Sequence, residues 1–307
     1  MSAPAEKPLI CLGEALVDLI CPDPIADRAE AGRFEVHCGG ALANVAVAAR
    51  RAGAPAALAS ACGDDDRGRL IRSRLEAEGV DLSFYGILRG APTAFAFAYL
   101  DPSLEPTFEI HGAGIEAAIA SLAGRGPEIA AAGAAVVFGS NTLVEEGSLA
   151  VTAEICDHAR RAGMPLLFDP NLRPGRWPDL DAARRRCLPY AREATVLKCN
   201  LAEARWLLGD DDLGAADAAV RLHDLGAELA VVTAGTSPAV VRGACDAEAA
   251  PPRVELVSPL GAGDAFMGTL AAGLHRAGFD LARAADALEA AVEQGALACR
   301  HLGAFRS

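Results

Sequence analysis

Thr195-Val196-Leu197-Lys198-Cys199-Asn200-Leu201-Ala202-Glu203 is the stretch from which the architecture can be read. A short β-favouring run, residues 195–199, ends at Asn200 and passes without a spacer into a helical pattern over 202–208. The same unit recurs on both sides. A strand at 134–138 precedes a helix at 145–161, and a strand at 166–169 precedes a loop and a helix at 181–190. A helix at 215–225 leads to a strand at 229–233. Short buried strands alternating with amphipathic helices form a parallel sheet covered on both faces, with right-handed crossovers. The fold class is therefore α/β, doubly wound and mostly parallel. Ligands of such sheets bind at the carboxyl ends of the strands.

The first half departs from this rhythm. Residues 8–20 read as one apolar strand broken by Gly13 and Glu14 and ended near Asp18. A short half-exposed strand at 34–38 precedes an Ala-rich helix at 41–52 opened by Gly39-Gly40, then a strand at 56–61 and a helix at 67–78. Residues 84–88, 93–100 and 107–110 are β-favouring runs separated by Pro and Gly turns, with no helix between them. With 34–38 they are expected to form a small sheet projecting from the body. A weak hairpin, 239–242 with 253–257, and two long helices, 262–276 and 281–299, complete the pattern. The expectation is one domain over residues 1–307, with inserted segments at about 15–38 and 84–111.

Composition narrows the function. The 307 residues carry 28 basic and 41 acidic side chains, a net charge of −13. Such a chain is poorly suited to a nucleic-acid backbone or an anionic membrane, although a small anion needs only a few local donors. Only Lys7 and Lys198 are lysines; every other basic residue is arginine. Hydrophobic residues make up 52%, enough for a large core. The nine cysteines are scattered, with no C-x-x-C, as expected of reduced thiols in a cytoplasmic protein. Residues 1–8 lack the apolar stretch of a signal peptide, and no apolar run reaches the ~18 residues of a membrane span.

Five segments at predicted strand ends carry polar chemistry. Gly261-Ala262-Gly263-Asp264 opens a long helix, where the glycines permit close approach of a ligand and free N–H groups make an anion site. A carboxylate inside an anion site repels a resting phosphate, but suits a base that takes a proton from an attacking hydroxyl. Gly39-Gly40 with Asn44 makes a second close-approach site, with an amide suited to a sugar hydroxyl, and Asp18 ends the first strand. Asp169-Pro170-Asn171-Leu172-Arg173 is a dense polar cluster, with Arg173 able to grip a phosphate. Asn200 and Glu203 suit the water shell of Mg2+, and Thr233 with Gly235 a nucleotide. Each segment alone also fits a plain structural role: Asp264 as an N-cap, Asn200 with Glu203 as a capping box. No Walker A loop, Rossmann glycine pattern or zinc-binding histidine spacing occurs.

Taken together and in this order, the five segments resemble the ribokinase-like (PfkB) family of carbohydrate kinases. Gly39-Gly40 to Asn44 looks like its N-terminal signature and Gly261 to Asp264 like its C-terminal one, and the likeness runs from Leu12 to Gly303. Gly13-Glu14-Ala15-Leu16-Val17-Asp18 and the Asp-Pro-Asn-Leu-Arg form are most similar to the fructokinase branch, with 2-keto-3-deoxygluconate kinases close behind. The resemblance implies roles. Asp264 is the base, and the backbone of Gly261, Ala262 and Gly263 the γ-phosphate hole. Asp18, Gly39, Gly40, Asn44, Phe97 and Arg173 face the sugar. Asn171, Lys198, Thr233 and Gly235, with Gly261 and Gly263, serve the nucleotide. Asn200 and Glu203 support Mg2+, Glu203 through water. It also implies ATP as donor, a lid made by the small sheet, and a homodimer through the lids. One departure stands out: Ser258-Pro259-Leu260 replaces the Asp-Thr-x that helps hold a monovalent cation, which puts K+ activation in question.

The leading expectation is an ATP-dependent kinase for fructose or a related ketose. Rival substrates are 2-keto-3-deoxygluconate, ribose and a nucleoside; a carboxylate-bearing substrate would call for a basic lid residue such as Arg33 or Arg89. The reading from another class is a sugar-binding regulator without turnover, which would have no need of Asp264.

Overall fold

A computed structural model describes residues 6–304, so the part of the N-terminal reading that falls on residues 1–5 lies outside the described residues. The apolar run expected as one strand is two. Strand β1 (Leu9–Leu12) is wholly buried, and β2 (Leu16–Ile20) belongs to a different sheet. Gly13 and Glu14 let the chain leave one sheet and enter the other. Strand β3 (Glu35–Gly39) pairs antiparallel with β2 and leads into helix α1 (Ala41–Arg51) through Gly40. Gly40 has φ +98°, and a β-carbon there would stand 2.5 Å from the Glu14 carbonyl, so only glycine fits this junction.

Strand β4 (Ala56–Gly63) and helix α2 (Asp66–Ala77) follow. Strand β5 (Tyr85–Leu88), expected in the small sheet, pairs parallel with β4 and forms one edge of the large sheet. The small sheet is completed by β6 (Phe95–Leu100) and β7 (Pro106–His111), giving four strands in the order β3-β2-β6-β7. Its two segments are thus Leu16–Gly39 and Phe95–His111, with residues 84–88 excluded.

Two short helices, α3 (Ala113–Ala120) and α4 (Gly126–Ala132), occupy a stretch the sequence reading left unassigned. The regular rhythm then appears as expected: β8 (Ala135–Phe138), α5 (Glu146–Arg161), β9 (Leu166–Phe168), α6 (Leu180–Glu193), β10 (Val196–Asn200), α7 (Leu201–Leu208), α8 (Ala215–Leu225) and β11 (Leu229–Ala234). The hairpin consists of β12 (Ser237–Gly243) and β13 (Ala247–Ala249), antiparallel to each other, whereas residues 253–257 form no strand. Helices α9 (Ala262–Arg276) and α10 (Ala284–Ala298) close the fold.

The large sheet has nine strands in the order β13-β12-β11-β10-β9-β8-β1-β4-β5, parallel except for the hairpin. Two apolar layers sandwich it, one under α1, α9 and α10 and the other under α5, α6 and α8. The order reverses beside β1, with β8 and β4 as its neighbours, and this is where a doubly wound sheet opens a crevice. The small sheet sits over that end: Ile20, Ala98 and Leu100 pack on Leu260, just before α9.

Candidate active site

Gly261 caps α9 with φ +80°, a left-handed conformation that turns the chain sharply into the helix. The Ala262 N–H is used on the Pro259 carbonyl at 3.2 Å. No hydrogen bond is made by the N–H of Gly263 or Asp264 among the described residues. These two donors, at the positive end of the helix, make a candidate anion site.

Asp264 lies in the first turn and is buried. Asn44 Nδ2, from α1, donates to its Oδ2 at 2.8 Å, and Asn171 Nδ2, from the loop after β9, donates to its Oδ1 at 3.0 Å. Residues 220 and 93 positions away in sequence thus hold one carboxylate in a fixed plane. Burial pushes this carboxyl up to about 6, against the Asn44 hydrogen bond and the Arg173 charge, with Asp169 adding to the rise. A base in that range is mostly ionised at neutral pH yet basic enough to accept a proton.

Lys198 lies beneath the anion site. Its ammonium is buried, bonds Asp169 Oδ2 at 2.8 Å and stands 3.0 Å from where a β-carbon on Gly263 would be. Burial would lower its pKa, but the Asp169 and Glu203 carboxylates outweigh this and raise it, so the site keeps a fixed positive charge. Asn200 and Glu203 form the capping box of α7: Asn200 Oδ1 accepts from Glu203 N and Glu203 Oε2 from Asn200 N, both at 2.9 Å. Glu203 Oε1 accepts from Leu172 N at 2.8 Å, tying the Asn171 loop to α7. Burial and the nearby Asp169 raise the Glu203 carboxyl. Thr233 stands in register with Asn200 at the same sheet edge, and Gly235 lies in the exposed turn beyond it.

The small sheet supplies the upper wall. Asp18 faces inward, its carboxylate so close to Gly39 that any β-carbon there would overlap it. Burial pushes Asp18 up to about 7; Arg173 opposes the rise, while Asp264 and Glu14 add to it. Phe97 is not at the site. Asp18 is in register with Ala96, so Phe97, one residue on, points to the opposite face, where it packs on Phe34, Phe95 and Tyr99. The aromatic on the Asp18 face is Phe108, whose partner Ala98 pairs with Ile20, and the Arg173 guanidinium lies 4.8 Å over its ring. The alternation Thr107-Phe108-Glu109-Ile110 carried that signal.

Two further polar residues escaped the sequence reading. Glu14 Oε1 accepts from Ala41 N at 3.1 Å and from Asn141 Nδ2 at 3.0 Å. Glu14 Oε2, Asn141 Oδ1 and Asn44 Oδ1 are buried acceptors without a partner among the described residues. Buried acceptors left open are a demand for donors, which a polyhydroxyl ligand satisfies. A cavity of about 420 Å³ between α1, α9 and α10 touches this constellation only at Asn44 and Gly261 and is not lined by Asp264.

The description "pfkB family carbohydrate kinase" matches residues 7–307. Fructokinase-1 of Oryza sativa subsp. japonica is 32% identical over 264 residues, which cover 85% of this chain and 81% of the relative. A 2-dehydro-3-deoxygluconokinase of Thermoproteus tenax is 33% identical over 299 residues, 92% of this chain and 86% of the relative. Among solved structures, a fructokinase from Vibrio cholerae O395 in a fructose, ADP and potassium ion bound form superposes with a TM-score of 0.84 at 25% identity, covering 99% of this chain and 95% of that one. The chain therefore belongs to the pfkB family of carbohydrate kinases, enzymes that place a phosphoryl group on an alcohol.

Proposed function

We propose that this chain transfers the γ-phosphoryl group of ATP to a hydroxyl of a neutral ketose, fructose being the first choice. The observation that carries the reading is Asp264, held by two amides at the start of α9 beside the open N–H donors of Gly263 and Asp264. Asp264 accepts the proton of the attacking hydroxyl. The helix start and Lys198 receive charge on the transferred group, and the small sheet excludes water. Asp18, Gly40 and Asn44 hold sugar hydroxyls, with Glu14 and Asn141 at the far end. Thr233 and Gly235 line the nucleotide.

The charges around the site support a neutral substrate. Arg33 is exposed and paired with Asp23, Arg89 is exposed just past β5, and the cation that acts on Asp18 is Arg173 rather than either of them. The Arg173 Nη1 already serves Asn171 and Leu172 acceptors. The acidic groups Glu14, Asp18 and Asp264 outnumber the one engaged guanidinium on this side of the site, which supports a neutral sugar over an acidic one.

The donor set fits Mg2+ held mainly by nucleotide phosphates and water. Both Glu203 oxygens already accept backbone N–H groups, while Asp169 Oδ1 is buried and unpartnered. When bound, Mg2+ neutralises phosphate charge. A monovalent cation is not fitted. Ser258 offers no carboxylate, its Oγ accepts from Leu260 N, and the Cys299 carbonyl is occupied by Val257 and Ser258 N–H groups. The protein is further proposed to act as one domain and to dimerise through the outer face of the small sheet. Its nine free thiols support a reducing, cytoplasmic setting.

The test measures ADP release with Mg-ATP over a panel of fructose, ribose, 2-keto-3-deoxygluconate and nucleosides, for the wild type and Asp264→Asn. Fructose turnover that falls by about 10²–10⁴-fold in the variant, with sugar binding retained by calorimetry, is the expected result. No turnover on any acceptor removes the kinase reading, and preference for the acidic sugar removes the neutral-ketose reading.

A further inference from the structure

The loop at 169–177 touches β7 of the small sheet twice. Arg173 stacks on Phe108, and Arg176 packs against Gly112 at the end of β7 while donating to Glu145 Oε1 at 2.6 Å. Between the two arginines and the base stands Asn171, whose φ of +42° is left-handed and uncommon outside glycine. Its side chain is shared: Nδ2 donates to Asp264 Oδ1 at 3.0 Å, and Oδ1 accepts from Arg173 Nη1 at 2.6 Å.

An amide can rotate by half a turn and exchange its oxygen with its nitrogen. A guanidinium is donor-only, so with Arg173 on Oδ1 the NH2 group must face Asp264. Without that guanidinium the reversed amide would set an oxygen against the carboxylate. Arg173 itself is held in this pose by the Asn171 and Leu172 carbonyls and by the ring beneath it.

We propose that Phe108 is a positioning residue for the base: with the small sheet down, its ring seats Arg173 on Asn171 Oδ1, which turns the Asn171 amide to clamp Asp264. This rests on the kinase reading of Asp264 and adds to it a route by which lid position reaches the base. With the sheet raised, Arg173 loses its platform and Asp264 its second clamp. The clamp on the base is complete only with the small sheet down, the position in which Phe108, Arg173 and Asn171 stand here.

The charged groups facing Asp264 are Lys198 on β10, Asp169 at the end of β9, Arg173 on the loop and Asp18 on β2. Of these, Arg173 is the one the small sheet holds by a ring contact, so loosening it moves the base in a known direction: less positive charge nearby raises the carboxyl further.

The experiment compares Phe108→Leu, Phe108→Tyr, Arg173→Met and the Phe108→Leu/Arg173→Met double variant. Two readouts are taken: kcat and KM against pH, and the titration of the Asp264 carboxyl by 13C NMR without sugar, assigned with Asp264→Asn. Phe108→Leu is expected to lower kcat by about 10–100-fold with the KM for ATP unchanged, and to move the carboxyl titration to higher pH. Phe108→Tyr, which keeps the ring face, recovers most of the rate and so shows that the loss in Phe108→Leu is not general misfolding. The double variant matches Arg173→Met alone, because Phe108 acts through Arg173. Additive effects, or a Phe108→Leu titration that coincides with wild type, overturn the proposal. If the wild type phosphorylates no sugar, the kinase reading fails separately, while the carboxyl titration and the double-variant comparison on it still decide the relay.

Discussion

As the proposed base, Asp264 combines two demands that oppose each other: it must be ionised to act, yet sit where ionisation is disfavoured. Burial raises its carboxyl to about 6, so the base is present above that pH and lost as pH falls through it. The expected outcome is a kcat profile with an acid limb near pH 6 and a flat region above, measured with saturating sugar and Mg-ATP. Because Asp18 is raised to about 7, the wall formed by the small sheet changes charge in the same region. The two carboxyls sit in one field, so the limb reports the pair. At this scale Asp18, Gly40, Asn44, Asn171, Arg173 and Asp264 were legible as candidates because they belong to short sequence patterns at the joins between elements, although Asp18, expected to end a strand, is the middle residue of β2. Glu14 and Asn141 were not. Their hydrogen bond spans 127 positions, and nothing local marks a buried acceptor as unsatisfied.

Elements were legible where the period was clear. The units from β8 to β11 declared themselves by alternating apolar strands and amphipathic helices. Failures occurred where an apolar run has no single period. Residues 8–20 became two strands because buried residues on both sides of Gly13-Glu14 look alike, and 84–88 joined the large sheet because pairing with β4 is a long-range choice. The join between body and small sheet is carried by Asp65, the N-cap of α2. It accepts from Gly68 N at 2.8 Å, Thr93 N at 3.0 Å and Thr93 Oγ1 at 2.6 Å, just ahead of β6. Burial works against it, but these bonds hold its carboxyl down to about 2. A depressed carboxyl stabilises the fold above the unfolded value of ~3.9, and that stabilisation is lost as pH falls toward about 2. Asp65→Ala is expected to lose about 1–2 kcal/mol at pH 7 in urea denaturation. The difference from wild type should shrink with acidification. The segment Ser258-Pro259-Leu260 makes a second element-scale prediction: kcat in KCl and in choline chloride at equal ionic strength should agree within about twofold, K+ having no carboxylate to bind. Strong K+ activation would contradict the reading of that loop.

Across the whole molecule, the net charge of −13 is compatible with phosphate recognition through the proposed donors, helix-start N–H groups and one buried ammonium. The outer face of the small sheet presents Val36, 60% exposed, near half-buried Leu19, Phe34 and Phe97, and its edge strands β3 and β7 are open. An apolar face with open edges is suited to a second copy. Light scattering at micromolar concentration should give a dimer for the wild type and a monomer for Val36→Glu; a wild-type monomer would sink the proposal. The lysine usage has a practical corollary. Lys7 is exposed, whereas Lys198 is buried and paired, and the remaining basic side chains are arginines that amine-directed reagents pass over. An acylating dye or a surface-coupling ester therefore meets a single reactive lysine on the folded protein, besides the α-amino group. Unfolding exposes Lys198 as well, so the additional label taken up at that residue becomes a direct chemical count of opening around it.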